Sequence, residues 1–465
     1  MPDALGLAQA AQQLAGRDAF AHVTSERSLM MRFAANRPTQ STAVDDVTVE
    51  IAVPHRGHVG RASTNAADPD SLRACAERAL AAARAAAASG EGGFPGFSPT
   101  ADAQIAGDDR LELDPAAGGA ALTATFAAAD AARVEAHGVW TLAEEERAWA
   151  TSGAGAAERT TDAFMKVICM AESGRSGYAA TTARDAGALD GHALAEQAAK
   201  KATMRAEPAE LAPGAYPVVF EPHAVGTLLE MLAASAFDGR AHADGRGALS
   251  ERLGEPLTAP SIELADLPDS RLTLARSFDA EGTAKEPLTL IEGGVARRVA
   301  HDLRSAALAG ERTTGHALAP GGHPYGVLPT NLVLAGGDAA EVEDLCAPLE
   351  RGIYVTRLWY ANVIRPKETL VTAVSRDGTF LIEDGRIARP LQDLRLTDRV
   401  LGILSRTAAL GSRQTLTSDG EFYGRRFAYG VACPPLRAEA VRFTGATGRP
   451  VPRPPSPAAG ANDGV

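Results

Sequence analysis

The side chains here that could carry acid–base or metal chemistry include ten histidines, four cysteines and the carboxylate pair Asp279 and Glu281. His223 and Glu230 share a helical stretch seven residues apart, near one face but two turns, roughly 10 Å, from each other. One metal ion cannot sit between them without a third element, and His223, directly after Pro222, is expected at a water-exposed helix start. His242 and Asp244 in "GRAHADGRG" fall in a Gly-rich loop that is either solvated or lines a cleft. His316 and His323 belong to the Pro/Gly-rich stretch around "ALAPGGHPYG", read as a surface loop. Asp279 and Glu281 would stand on one side of an extended strand. Acid–base catalysis would require burial to split their pKa values, and Gly282 beside them points to an open turn instead.

Familiar constellations are missing. The sequence holds no HExxH or HExxxH, no GxSxG and no GxxxxGK[ST]. "GAGAAE" (153–158) lacks the third glycine of a dinucleotide fingerprint and lies between strands, as a turn. Cys75, Cys169, Cys346 and Cys433 are far apart, with no CxxC to make a zinc knuckle or redox pair. Cys75 in an Ala-rich helix and Cys169 in a strand read as buried structural thiols, which suits a reducing cytoplasm.

The elements that must position these residues can be traced by periodicity. Residues 4–15 form a short helix, "FAHVTSERS" and "LMMRFAANRPTQ" alternate as strands of a hairpin, and a strand pair turns at His55–Arg56–Gly57. A long helix over 68–88 follows, opened by Asp68. The order recurs: a strand pair over 161–183 turning at Ser173–Gly174–Arg175, then a helix over 189–202, so that "GRASTNAADPDSLRACAERAL" overlays "GYAATTARDAGALDGHALAEQ". Beyond Pro213–Gly214 the chain is mostly short strands. Its helices are 223–238, with apolar residues at i, i+1, i+4 and i+5, and 338–351, capped by Asp338. Asp377–Gly378 and Asp384–Gly385 are read as hairpin turns. The expected fold is α+β. An N-terminal α/β domain (1–205) of two related helix–strand–helix halves precedes a C-terminal domain (206–445), a curved, mainly antiparallel sheet around a central helix. A disordered tail (446–465) closes the chain.

A net charge of −12 argues against nucleic acid or an anionic membrane as partner. Neither a signal peptide nor a long apolar span is expected, which again favours the cytoplasm.

Several segments carry a more specific likeness. "YPVVFEPHAVGTLLEMLAASAF", "SFDAEGTAKEPLTLIEGGVARRVAHDLRSA", "GVLPTNLVLAGGD", "LERGIYVTRLWYANVIRPKETL" and "CPPLRAEAVRFTG" occur in order. Together they resemble the TldD/PmbA (TldE) family of modulator-of-gyrase-type proteins up to about residue 445, most distinctively over 351–403. The resemblance implies two kinds of subunit. TldD is a zinc metallopeptidase with HExxxH on the helix after the PVVF-like strand, and PmbA/TldE has the same fold without the motif and pairs with TldD. Carried across, the motif's first His, Glu and second His fall on Glu230, Met231 and Ser235. Met231 cannot deprotonate water, Ser235 is a poor zinc ligand, and one carboxylate makes no site.

The chain therefore resembles the non-catalytic kind, a scaffold and substrate guide in a heterodimer acting on unfolded or short peptides. No cofactor is expected in this chain, and zinc is expected only in a TldD-like partner. Two alternatives are a paired subunit trimming a peptide-like intermediate in natural-product biosynthesis, and a stand-alone homodimeric peptide binder. Trp359 and Tyr360 in "RLWYANVIRP", with His223 and His242, are expected at a cleft or subunit interface, unless the two aromatics are simply core.

Overall fold

The computed structural model of the chain describes residues 3–90, 92–100, 105–107 (backbone only), 110–323, 326–418 and 426–447. The tail expected to be disordered falls, from residue 448 on, outside the described residues. The first part runs α1 (Ala4–Ala15), β1 (Phe20–Ala34), β2 (Arg37–His55), β3 (His58–Thr64), α2 (Pro69–Ala87) and β4 (Ile105–Gly107). It continues with α3 (Pro115–Ala131), β5 (Glu135–Ala150), β6 (Gly155–Met170), β7 (Ser176–Ala183) and α4 (Gly191–Ala202). The α–β–β–β–α order occurs twice, as the sequence overlay implies. The halves share a packing device: a Cβ on Gly60 of β3 would lie 2.1 Å from the Ala79 carbonyl oxygen of α2, and one on Gly177 of β7 would lie 2.1 Å from that of Ala198 in α4. Only glycine lets each helix settle that closely on its strand.

All these strands join one sheet, β3-β2-β1-β5-β6, with β7 and β4 both on β6. The halves meet where β1 and β5 pair antiparallel. Helices α1 and α2 cover one half of one face, over Val23, Val49 and Ile51, and α3 and α4 cover the other, over Trp140, Leu142 and Met165. Asp68 opens α2 by accepting from the Asp70 and Ser71 amides, and Leu72, Cys75, Ala76, Ala79 and Ala83 make its buried stripe. Strand β1 is longer than its sequence suggests. "FAHVTSERS" and "LMMRFA" form one strand, and the hairpin turns at Ala35–Asn36, both with positive φ (49° and 55°), the backbone a two-residue I′ turn requires.

The second part holds β8 (Gly214–Phe220), α5 (Pro222–Ala236), α6 (Gly239–Ala243), β9 (Leu264–Asp266), β10 (Leu288–Glu292), β11 (Val295–Ala296), α7 (Leu303–Ala309) and β12 (Leu332–Leu334). After α8 (Val342–Cys346) come β13 (Arg351–Arg365), β14 (Leu370–Glu383), β15 (Arg386–Pro390), β16 (Leu394–Arg399) and α9 (Val400–Ser405). Strands β17 (Thr407–Leu410), β18 (Thr415–Thr417), β19 (Val431–Cys433) and β20 (Leu436–Ala446) finish it. One sheet is β11-β10-β9-β12-β19-β18. The other, β13-β8-β20-β16-β14, closes on itself because β14 also pairs with β13. Its pairings are antiparallel except β8 with β13. Helix α5 lies between these sheets. Val225, Leu228, Leu229 and Leu232 share one core with Phe220, Val355 and Leu436 of the closed sheet and with Leu264, Leu334 and Val431 of the other. Each such buried leucine is worth roughly 1.5–3 kcal/mol.

Two sequence expectations fail here. Asp377–Gly378 is no hairpin turn but a bulge inside the continuous β14, with Asp377 held by Arg357, whereas Asp384–Gly385 does turn the chain. The helix expected over 338–351 shrinks to α8, which starts after Glu341, because Ala339 and Gly337 take backbone hydrogen bonds with Leu410 and Gly411 instead.

Candidate functional site

Helix α5 follows β8 directly, and Pro222 opens it. Glu221 stands at its N-cap but does not cap it; the carboxylate instead receives hydrogen bonds from Tyr354 (2.7 Å) and Thr356 (3.1 Å) and pairs with Lys201 (2.7 Å). At the motif positions, Glu230 is half-buried, Met231 packs its side chain against the core, and Ser235 is buried. The Ser235 hydroxyl donates back to the Met231 carbonyl at 2.7 Å, so its proton is committed to the helix backbone. A thiol from far along the chain meets this helix: Cys433 on β19 donates to the Pro222 carbonyl at 3.2 Å, and Glu230 acts on it electrostatically. Burial, reinforced by the Glu230 charge, raises the Cys433 pKa, so it stays a thiol at neutral pH. A catalytic zinc takes three protein donors and leaves one position open. Glu230, a protonated Cys433 and a backbone-bonded Ser235 do not fit that ion. Among the described residues, no three His, Cys, Asp or Glu side chains gather closely enough to hold a metal. Sequence reasoning missed Cys433 because a lone cysteine some two hundred residues downstream carries no spacing signal.

The uncovered face of the first sheet is polar and buried, and it meets the second part of the chain. Thr24, Glu145, Arg147, Glu158, Thr160 and Asp162 all lie on it, each no more than 6% exposed. Arg147 pairs with Glu145 (3.2 Å) and Glu158, and Arg426 pairs with Asp162. Glu158 also accepts from the Ser277 amide at 2.6 Å, and Thr160 donates to the Ala275 carbonyl at 3.1 Å, which ties the two parts together. Desolvation raises the Asp162 carboxyl, with Arg426 opposing the shift. A cavity of about 210 Å³ opens in this layer. His22, Thr24, Glu50, Glu145 and Arg147 line one wall, and Arg276, Asp279, Lys285, His316, Thr330 and Arg426 line the other. Beneath it Asp266, fully buried, pairs with Lys285 at 3.0 Å and His316 at 3.4 Å, while Lys285 also donates to Thr330 and Asn331. Lys285 and His316 hold the Asp266 carboxyl well below the usual range against its own desolvation. The cavity wall thus presents fixed donors and acceptors of both signs, suited to the amides and ends of a polar chain rather than to an apolar ligand. The sequence signal for it was "AEEER" (143–147), a charged run inside a strand buried on both faces.

Asp279 and Glu281 are not in an open turn. Asp279 is 4% and Glu281 0% exposed. Asp279 accepts from the amides of Glu281 (2.9 Å), Thr283 (3.0 Å) and Ala317 (2.9 Å), and Glu281 from those of Leu303 and Gly321 (both 2.9 Å). Burial raises both, Asp279 to about 6. Their role is to staple loops from three parts of the sequence. His316 is likewise 2% exposed, not part of a surface loop. His223 is half-buried rather than water-exposed: its ring stands edge-on to Tyr178 (5.3 Å) and burial lowers its pKa to about 4. His242 belongs to the short helix α6, not a loop, and its charge would act on His301. Trp359 is half-buried, with the Arg357 guanidinium 5.1 Å from its ring and 4.5 Å from that of Tyr178. Tyr360 is 76% exposed at a bulge in β13, with φ 54°, and Ile364 beside it is 48% exposed. His223 and Trp359 therefore meet around Tyr178 and Arg357, Tyr360 points outward from the same strand, and His242 lies elsewhere, beyond α5.

A strand, a buried helix after it, and a polar cavity between the sheet layers define an α+β protein whose cleft, among the described residues, is polar rather than metal-binding. A family model described as the PmbA/TldA metallopeptidase C-terminal domain matches residues 213–445, half of the chain, and the chain belongs to that PmbA/TldD family. Among curated relatives, a metalloprotease of Methanothermobacter thermautotrophicus is 25% identical over 199 residues, 43% of each chain. A metalloprotease TldD homolog of Buchnera aphidicola is 22% identical over 260 residues, 54% of this chain and 52% of that one. The match thus spans about half the length of these relatives. The crystal structure of TldE from Thermococcus kodakarensis superposes with a TM-score of 0.78 at 18% identity, covering 93% of this chain and 98% of that one, a likeness of fold. No helix among the described residues is long and apolar enough to cross a membrane.

Proposed function

We propose that this chain is the non-catalytic subunit of a heteromeric TldD/TldE-type zinc metallopeptidase in the cytoplasm, serving as scaffold and guide for unfolded or short peptides. The observation that carries this reading is the set of side chains on α5. The helix keeps its place after β8 in a family of metallopeptidases, yet its motif positions hold Glu230, a core-packed Met231 and a backbone-bonded Ser235. Zinc and the general base then come from a TldD-like partner. This chain supplies a walled polar cavity that exclusion of water makes selective for a chain with its own amides to pair. Exposed Tyr360 and Ile364 on β13 are the contact surface for that partner.

Affinity purification of the tagged chain from its native host tests this. Co-elution of an HExxxH-bearing relative in near-equal amount is expected. Elution of the chain alone, or paired only with itself, would overturn the reading.

A further inference from the structure

Beyond the end of α5 lies a second cavity, of about 280 Å³, with a different character from the first. Arg61 of β3, Arg240 of α6 and Arg304 of α7 line it, with Asp302 as the facing carboxylate. Three guanidinium groups from three separate elements thus oppose one acid. Asp302 is partly occupied, because one of its oxygens accepts from the Ser305 amide at 2.7 Å to cap α7. Arg240 shares Asp244 (3.0 Å) with Arg246 (2.8 Å), so that acid is claimed twice. Among the described residues, neither Arg61 nor Arg304 has an ion-pair partner. Three like charges around one opening, facing a single carboxylate already engaged in capping α7, are costly unless something more of opposite sign joins them.

The pocket is shaped, not merely charged. A Cβ on Gly321 would fall 2.4 Å from Val59, so this glycine, with φ 78°, lets its loop lie flat on β3 beside Arg61. Gly322, φ 97°, follows it at the pocket wall. The sequence joins the pocket to the motif helix: Arg240 stands five positions beyond Ser235.

We propose that Arg61, Arg240 and Arg304 form a binding site for the free C-terminal carboxylate of a peptide. A guanidinium fork matches the two oxygens of a carboxylate, and two unpaired forks can clamp it from both sides. The choice of carboxylate over phosphate rests on the peptide reading above. Because β3 belongs to the first sheet and α6 and α7 to the second part of the chain, the bound carboxylate would also bridge the two.

The test is binding of an acetylated hexapeptide to the full chain, compared with the same peptide ending in an amide and with inorganic phosphate. Calorimetry or ligand-detected NMR at up to millimolar concentration gives the readout. The acid is expected to bind about 10- to 100-fold more tightly than the amide, the worth of one or two hydrogen bonds to a charged group. The double variant R61Q/R304Q, changed at a half-buried and an exposed side chain, should lose that preference while keeping its circular dichroism and its amide affinity. R61K/R304K, which keeps the charge but not the fork, should recover only part of it. Equal binding of acid and amide, or an unchanged preference in R61Q/R304Q, would overturn the site. So would phosphate binding far more tightly than the peptide acid. Failure of the subunit reading shows separately: co-purification without an HExxxH-bearing relative leaves the acid-over-amide preference intact if the pocket is as described.

Discussion

Replacing Asp266 by Asn removes one charge from beneath the polar cavity and leaves Lys285 buried without its counter-ion. The two lie 3.0 Å apart, both essentially inaccessible to water. At an effective dielectric constant near 20, their attraction is about 5 kcal/mol. Lys285 keeps its bonds to Thr330 and Asn331, but an amide in place of the carboxylate cannot balance its charge. Breaking a buried pair from one side costs about 3–5 kcal/mol. The lysine has one escape, loss of its proton, which caps the penalty at about 4 kcal/mol at pH 7.5 for an ordinary ammonium pKa near 10.4. That cap gives the penalty a sign with pH. In Asp266→Asn the folded lysine binds fewer protons than the unfolded one, so the penalty shrinks by up to about 1.4 kcal/mol for each unit the pH rises towards 10. Urea unfolding followed by tryptophan fluorescence is the assay. Trp149, fully buried, packs with Phe278 in the loop that the Asp266 cluster supports, and so reports on this region. The double variant D266N/K285M, with both charges gone, should recover at least half of the loss. A penalty below about 1 kcal/mol, or one that is flat between pH 7 and 9, would refute the reasoning.

Three further predictions concern other elements. His223 is neutral in the folded state down to about pH 4 but titrates near 6.5 when unfolded, so its burial withdraws up to about 3 kcal/mol of stability as pH falls through that window. Asp279 and Glu281, raised by burial, act in the opposite direction, so the quantity to read is the difference between parent and His223→Gln in urea midpoint at pH 7 and pH 4.5; equal acid loss in both would contradict the assignment. Tyr360→Ser with Ile364→Ser should weaken pairing with a TldD-like partner at least about tenfold with an unchanged circular dichroism spectrum, measured by titration of the purified subunits. Gly60→Ala and Gly177→Ala should each cost about 1–3 kcal/mol, because the added methyl carbon meets a helix carbonyl oxygen at 2.1 Å, and a thermal midpoint within a degree of the parent's would count against it.

The parts of this fold that show in the sequence are those set by local rules. The stripe on α5, the Asp68 cap, the turn at Arg56–Gly57 and the doubled α–β–β–β–α order all follow from spacing and turn chemistry. What stayed hidden depends on distant partners. Asp279 and Glu281 sit beside a glycine and look exposed, yet amides from Leu303, Ala317 and Gly321 receive them. Asp377–Gly378 has a turn's composition, but Arg357 across the ladder holds it as a bulge within β14. The closed sheet needs β8 to pair in parallel with β13, across more than a hundred residues, and periodicity does not encode that. The site divides in the same way. Positions 230, 231 and 235 could be placed by resemblance, whereas Cys433 against α5, the charged cavity, and the arginines at 61, 240 and 304 are brought together only by tertiary structure.

The most direct test of the central claim is the zinc content of chelator-free purified protein, measured together with peptide cleavage by this chain alone and mixed with a TldD-like, HExxxH-bearing subunit. The donor set at Glu230, Met231 and Ser235 predicts well under one zinc per chain, no cleavage by the chain alone, and chelator-sensitive cleavage that appears or rises on mixing. Near-stoichiometric zinc with chelator-sensitive cleavage by the lone chain would contradict the account and place the active site elsewhere in this molecule.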